Sequence, residues 1–310
     1  MLARNLVVLA VVALAFIGGC ARMPQTGITT LKPASLDQLQ RHLLANSADV
    51  ELFKLRGPFE VTIKEDLELQ LAANERYEVD AYLSAPSEKA PLVVILHGHE
   101  NAKEDHAYQG LHLATWGMHS ISVQLPNTGP WIKNGEILAR IVRFIQSRPE
   151  SIDSRIDPKR IVVVGHSFGG FSAAIALSQG TPVRGAVLLD PAGMGRSLPA
   201  YLRKIRSPVM VIASDGNIGM TRKREDFYEY IRSDVVEVSI AGAQHDDAAF
   251  PLESGFWSRD TSATEDMQIA FVAALTASAF SLAFTGNLDY AWASFKDSIR
   301  AGKLFDALRK

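Results

Sequence analysis

The sequence predicts an α/β architecture: a mostly parallel central sheet with helices on both faces. Three observations predict it. Short apolar runs rich in β-branched residues recur along the chain and alternate with stretches of helical spacing. Most of these runs are apolar throughout rather than alternating, as strands covered on both faces must be. One of them, residues 161–164 (Ile-Val-Val-Val), runs straight into Gly165-His166-Ser167-Phe168-Gly169 and then into the helix-compatible run 171–178. Strand, sharp turn with a serine at its apex, helix is the pattern of a nucleophile elbow. The flanking glycines let a strained turn pass close to its neighbours and hold the serine at the sheet's edge.

Taken in order, residues 1–5 carry one positive charge, Arg4, and the apolar run 6–17 follows. That run is short for a membrane span and reads as a secretory signal, residues 1–19. Ile17-Gly18-Gly19-Cys20 resembles the lipobox of bacterial lipoproteins, which implies that Cys20 is acylated and becomes the mature N-terminus. Cys20 is the only cysteine, so no disulfide forms within the chain. Acyl chains would hold the protein to a membrane. No aspartate follows Cys20, and by the same resemblance the address is the outer membrane, facing the periplasm or cell surface. Residues 20–49 read as a tether and lead-in, with a short amphipathic helix over 35–44, and 50–310 as the α/β domain.

Residues 59–64 and 77–83 alternate apolar and polar and predict antiparallel edge strands. Residues 92–96 predict a buried strand ending at His97-Gly98-His99-Glu100, and 107–116 a helix. Strands over 120–125, 183–189, 208–213 and 235–240 follow, the last of them ending in a loop with Gly242 and His245. Helices are expected over 137–146 and 222–232. Ser262-Ala-Thr-Glu265 reads as a capping box opening an apolar helix through 284. Gln268, Thr276, Ser278 and Ser281 interrupt its apolar surface, which favours burial on the sheet over a membrane span. A net charge of -2 and 21% charged residues argue against nucleic acid as the main partner.

Acyl transfer by serine needs a base, an acid to orient it and donors for the oxyanion. Parallel sheets place such groups at the carboxyl ends of their strands. Ser167 is the expected nucleophile and His245 the expected base. Asp190 and Asp215 end successive strands, and spacing leaves both open as the acid. Backbone N–H groups of His99 and Phe168 are the expected oxyanion donors. His166 is expected to point away from the serine and pack under the turn, and His97 to brace its loop. The spacings of His97, His99, His106 and His112 fit no compact metal site.

With these residues in hand, the chain resembles the α/β-hydrolase superfamily over about 59–284. Gly-His-Ser-Phe-Gly-Gly and Leu-Leu-Asp190-Pro-Ala-Gly resemble the chlorophyllase and platelet-activating-factor acetylhydrolase branch, which implies Asp190 as the acid. The dienelactone-hydrolase and cutinase-like polyesterase branches would imply Asp215, although dienelactone hydrolase itself carries cysteine at the elbow. Asp190 is preferred. The resemblance implies a serine ester hydrolase without metal or organic cofactor, acting on a small or surface-presented ester. The alternatives are amide or thioester hydrolysis by the same groups, or a non-catalytic envelope scaffold. The short segment 192–207 leaves little room for a lid, and Met194, Leu198, Tyr201 and Trp131 are candidates for an apolar wall.

Overall fold

The computed structural model describes residues 35–46, 49–193, 195–215, 224–250 and 265–310. The expected signal segment, Cys20, Met194, residues 216–223 and the Ser262 end of the expected capping box lie outside the described residues.

Helix α1 (Leu36–Asn46) buries Leu36, Leu39 and Leu43 along one face, the spacing that a helix needs to dock. A 3₁₀ turn at Val50–Lys54 follows, with the Asp49 carboxylate accepting the Glu51 N–H at 3.1 Å. Strands β1 (Val61–Ala72) and β2 (Glu75–Ser84) form a hairpin, longer than the alternating stretches suggested. The alternating unit then runs β3 (Ala90–Leu96), α2 (Ala107–Thr115), β4 (His119–Val123), α3 (Trp131–Ser147), β5 (Ile156–His166) and α4 (Phe168–Ser178). It continues as β6 (Gly185–Leu189), α5 (Leu198–Leu202), β7 (Val209–Ser214), α6 (Arg224–Tyr230) and β8 (Val235–Ile240). Helices α7 (Glu265–Thr285), α8 (Asp289–Ser294) and α9 (Lys296–Arg300) lead to β9 (Leu304–Arg309).

Among the described residues, nine strands lie in the order β1-β2-β4-β3-β5-β6-β7-β8-β9. From β4 to β8 all neighbours are parallel; β1, β2 and β9 pair antiparallel at the two edges. Strand β9 was not expected, since residues 235–240 read as the last strand. It is a short edge strand of mixed pattern, and Asp306 interrupts it at φ 46°. Successive side chains on a strand face opposite sides. Leu92, Val94 and Leu96 therefore join one core with Ile141 of α3, Ile175 of α4 and Phe227 of α6. Val93 and Ile95 join the other with Leu39, Trp116, Phe271 and Phe280. Burial on both faces explains why these strands are apolar throughout.

Helix α7 lies in the second core, with most of its apolar length buried. Its hydroxyls are satisfied locally: Thr276 donates to the Val272 carbonyl and Ser278 to the Ala274 carbonyl, both at 2.7 Å, and Ser281 to the Asn287 carbonyl at 2.8 Å. Such local bonds let polar side chains sit in a core without an unpaired donor.

The chain steps from β3 outward to β4 and then returns to the other side of β3 as β5. Open parallel sheets form their crevices where the strand order reverses in this way. The carboxyl ends of β3 and β5 lie side by side there, with Leu96 opposite Gly165.

The folded body also buries histidines. Burial pushes His106, His112 and His119 each down to about 4, against about 6.5 for a free imidazole. Between those values the unfolded chain binds protons that the folded chain does not, so stability falls as pH drops from 6.5 toward 4. Equilibrium unfolding at pH 7, 6 and 5 should show this loss, with uptake of at least about three protons on unfolding near pH 5, since burial also holds His97 and His166 below the usual range. His112 bonds the Phe53 carbonyl through Nε2 at 2.8 Å, and His112→Gln keeps that donor. It should remove about one proton from the slope; an unchanged slope would show that His112 does not contribute to it.

Candidate active site

Ser167 occupies the turn between β5 and α4, with φ 54° and ψ -122°. A non-glycine residue persists in that region only when its surroundings over-determine it. The surroundings here are backbone. A Cβ on Gly165 would overlap the Gly169 carbonyl, and one on Gly169 would overlap the carbonyls of Leu96 and His97. The Ser167 N–H donates to the Leu189 carbonyl at 3.0 Å, and its own carbonyl accepts the N–H groups of Gly170 and Ala192, each at 3.0 Å. The turn is bonded to β6 on one side and wedged against the end of β3 on the other.

Asp190 follows β6 directly and also takes a positive φ, 37°. Its side chain is fully buried. One carboxylate oxygen, Oδ2, accepts from His245 Nδ1 at 2.6 Å and from the Ser214 hydroxyl at 2.8 Å. The other, Oδ1, accepts the Ser214 N–H at 3.1 Å. Burial by itself would raise this carboxyl. The His245 imidazole and the two Ser214 donors outweigh it and hold Asp190 below the usual carboxylate range.

His245 opens a 3₁₀ turn, His245–Ala248, on the loop after β8. Asp215 does not meet it. Its Oδ2 accepts the Gly242 N–H at 2.9 Å, and its own N–H donates to the Ala243 carbonyl at 2.9 Å. Of the two aspartates that spacing left open, the structure brings Asp190 to the imidazole, while Asp215 shapes the approach to the loop.

The loop after β3 reaches the serine. A Cβ on Gly98 would stand 3.0 Å from Ser167 Cβ. His97 braces this loop: its ring lies 2.9 Å from the Gly98 carbonyl through Nδ1, and its Nε2 accepts the Leu125 N–H at 3.2 Å. Glu100 donates its N–H to the Asn127 carbonyl at 2.8 Å. Among the described residues, the backbone N–H groups of His99 and Phe168 have no hydrogen-bond acceptor. Phe168 begins α4, where first-turn N–H groups have no intrahelical partner.

One of the expected wall residues is at the site. Trp131 stacks on Phe168 with ring centroids 5.0 Å apart and 8° between planes, and His99 meets both rings edge-on at 5.9 and 6.1 Å. Leu198 is instead buried in the core beneath α4, and Tyr201 packs against that core with Lys204 over its ring. Met194 lies outside the described residues. His166 turns away from the serine, and its Nε2 lies 3.2 Å from the His245 carbonyl.

Sequence reasoning missed Ser214. It ends β7, next to the strand that Asp190 follows, and that adjacency was the available signal. Among the described residues, one cluster of acids is dense enough to hold a metal ion: Asp66, Glu78 and Glu104. The buried Lys103 ammonium already contacts all three, along with Asp80 at 2.9 Å. Histidines 97, 106 and 112 are bonded to protein groups.

Comparison with known proteins agrees with this architecture. The chain is 24% identical to "Cutinase cut1" of Thermobifida fusca over 206 residues, 66% of this chain and 62% of that protein. It is 25% identical to "Cutinase est1" of Thermobifida alba over 195 residues, covering 61% and 64% of the two chains. With "Cutinase 2" of Thermobifida cellulosilytica it shares 24% over 172 residues, 55% of this chain and 63% of that one. The chain thus spans less than two thirds of the length of these relatives. The model of the alpha/beta hydrolase family matches residues 93–302, from inside β3 to the end of the helices that cover the second core. That match takes in well over half of the sequence and every strand end that meets at Ser167, and the chain belongs to the alpha/beta hydrolase family.

Proposed function

We propose that this hydrolase is a serine ester hydrolase working through an acyl-enzyme. The observation that carries the reading is the 2.6 Å contact between the buried Asp190 carboxylate and His245 Nδ1, at the strand ends where Ser167 is held in a strained turn. With Nδ1 committed to Asp190, Nε2 is the nitrogen available for proton transfer. In this reading Ser167 Oγ attacks the acyl carbonyl while His245 takes its proton. The imidazolium that forms is stabilised by Asp190, and the oxyanion is received by the N–H groups of His99 and Phe168. His245 then protonates the leaving alcohol, and water, deprotonated by the same imidazole, releases the acid. The cutinase names of the relatives favour an ester over an amide or thioester. The Trp131–Phe168–His99 aromatics supply an apolar surface beside the oxyanion donors.

A fluorophosphonate probe and p-nitrophenyl esters test this directly. Wild type should label and turn over, and Ser167→Ala should do neither while remaining folded by circular dichroism. Asp190→Asn should lose on the order of 10³–10⁴-fold in kcat, because the neutral amide no longer stabilises the imidazolium. Asp215→Asn should stay within about threefold of wild type. A folded wild type that fails to label would overturn the reading, and a larger loss at Asp215 than at Asp190 would reassign the acid. Ser214→Ala, which removes one charge-assisted bond to Asp190, should cost about 1.5–3 kcal/mol in urea unfolding.

In the same reading, acylation at Cys20 anchors the enzyme in the bacterial envelope at the outer membrane, so that the cleft meets esters in the periplasm or at the cell surface. Fractionation of a bacterial host expressing the full chain should find wild type in the membrane. Cys20→Ser should lose the labelled fatty acid that wild type incorporates. Equal incorporation by the two would exclude Cys20 as the lipid site.

A further inference from the structure

The imidazole of His245 is fixed through Nδ1, but the turn that carries it must also be fixed if Nε2 is to meet a serine on another loop. Its two end carbonyls are each received by a buried side-chain donor. At the first residue, His166 Nε2 lies 3.2 Å from the His245 carbonyl. At the last, Gln109 Nε2 donates to the Ala248 carbonyl at 2.7 Å. Because the Gln109 amide nitrogen faces a carbonyl, its Oε1 must accept, and it does so from His106 Nδ1 at 2.7 Å. All three side chains are essentially inaccessible to water.

Packing alone does not account for these residues, since an apolar side chain would fill the same volume without the cost of burying polar atoms. The His166 ring lies 4.8 Å from the His245 ring and 5.7 Å from that of His106, and a Cβ on Gly98 would stand 3.3 Å from its Nδ1. It thus touches the serine turn, the base turn and the oxyanion loop together. Only an imidazole with its proton on Nε2 can donate to the His245 carbonyl and leave the buried Nδ1 bare. Burial and the neighbouring histidines hold its pKa well below the usual range. Its neutrality also spares the imidazolium of the reaction a like charge at this distance.

We infer that His166 and Gln109 are positioning residues that grip the two ends of the turn carrying the catalytic base. The inference rests on the serine-hydrolase reading. It assigns a task to the first variable residue of the Gly-x-Ser-x-Gly pattern and to a side chain on α2, both buried away from the cleft. A displacement of the base by about 1 Å costs on the order of 100-fold in rate.

The test compares His166→Met, His166→Gln and Gln109→Met with wild type in the full chain, using p-nitrophenyl butyrate. Met fills the space without a donor, whereas Gln places an amide nitrogen near the position of Nε2. His166→Met and Gln109→Met should each lose ~10–100-fold in kcat with KM within about threefold. His166→Gln should recover at least about tenfold of the loss. Wild-type kcat in either Met variant would overturn the inference, as would a Gln variant no better than Met. If His166→Met does not fold, Gln109→Met decides from the far end of the turn. Loss of the fold in both would show the donors to be structural and would also overturn it. A folded wild type without turnover or labelling would instead remove the serine-hydrolase reading, and this inference with it.

Discussion

Backbone meets backbone at the turn between β5 and α4, with no side chain in between. Gly165 passes the Gly169 carbonyl, and Gly169 passes the carbonyls that end β3, at distances that leave no room for a Cβ. Helix α4 is thereby set directly on the strand ends, and Ser167 has no conformation left except the strained one it occupies. The bond from the Ser167 N–H to the Leu189 carbonyl carries the same constraint into β6, whose next residue is Asp190. The position of the carboxylate therefore follows from the position of the serine.

A fully buried carboxylate is expensive, several kcal/mol even after relaxation. Asp190 is tolerated because each oxygen is occupied, and two of its donors come from a single residue of the next strand, Ser214. The third donor is the imidazole. Removing either partner would weaken the compensation of a charge in a dry site, so β6, β7 and the loop after β8 are coupled electrostatically as well as by sheet pairing. Lys103 ties the other flank. Its buried ammonium contacts Asp66 and Asp80 from the edge hairpin, and its backbone N–H donates to Gln124 at 3.0 Å. Acidic partners outweigh the penalty of burial and keep it protonated above the usual lysine range. The segment leaving the β3 loop is thereby pinned before it becomes α2, the helix that carries Gln109.

Much of this fold was legible in the sequence, for one reason. Most strands of the parallel core are apolar on both faces, so β3, β5, β6 and β7 announce themselves as apolar runs, and the glycines around Ser167 mark a turn that nothing larger could make. Ser167, His245 and the loop with His99 lie after β5, β8 and β3, where the apolar runs had put them. The weakly patterned elements were not legible. The alternating stretches of β1 and β2 gave only part of a long hairpin, and β9 is a short edge strand bent at Asp306.

The sequence by itself determined the parallel centre of the sheet, the elbow and the set of groups available at its edge, because these depend on residues that are neighbours in the chain. Only the tertiary structure decided which groups meet. Asp190 and Asp215 end adjacent parallel strands and look alike in spacing. They part company because the turn after β6 aims one carboxylate inward at His245 and Ser214, while the Asp215 carboxylate accepts the Gly242 N–H. His166 and Gln109 are likewise ordinary until the loop after β8 folds back across β5 and α2 and offers them its carbonyls. Side-chain direction and contact across strands depend on register and twist, which no local pattern encodes.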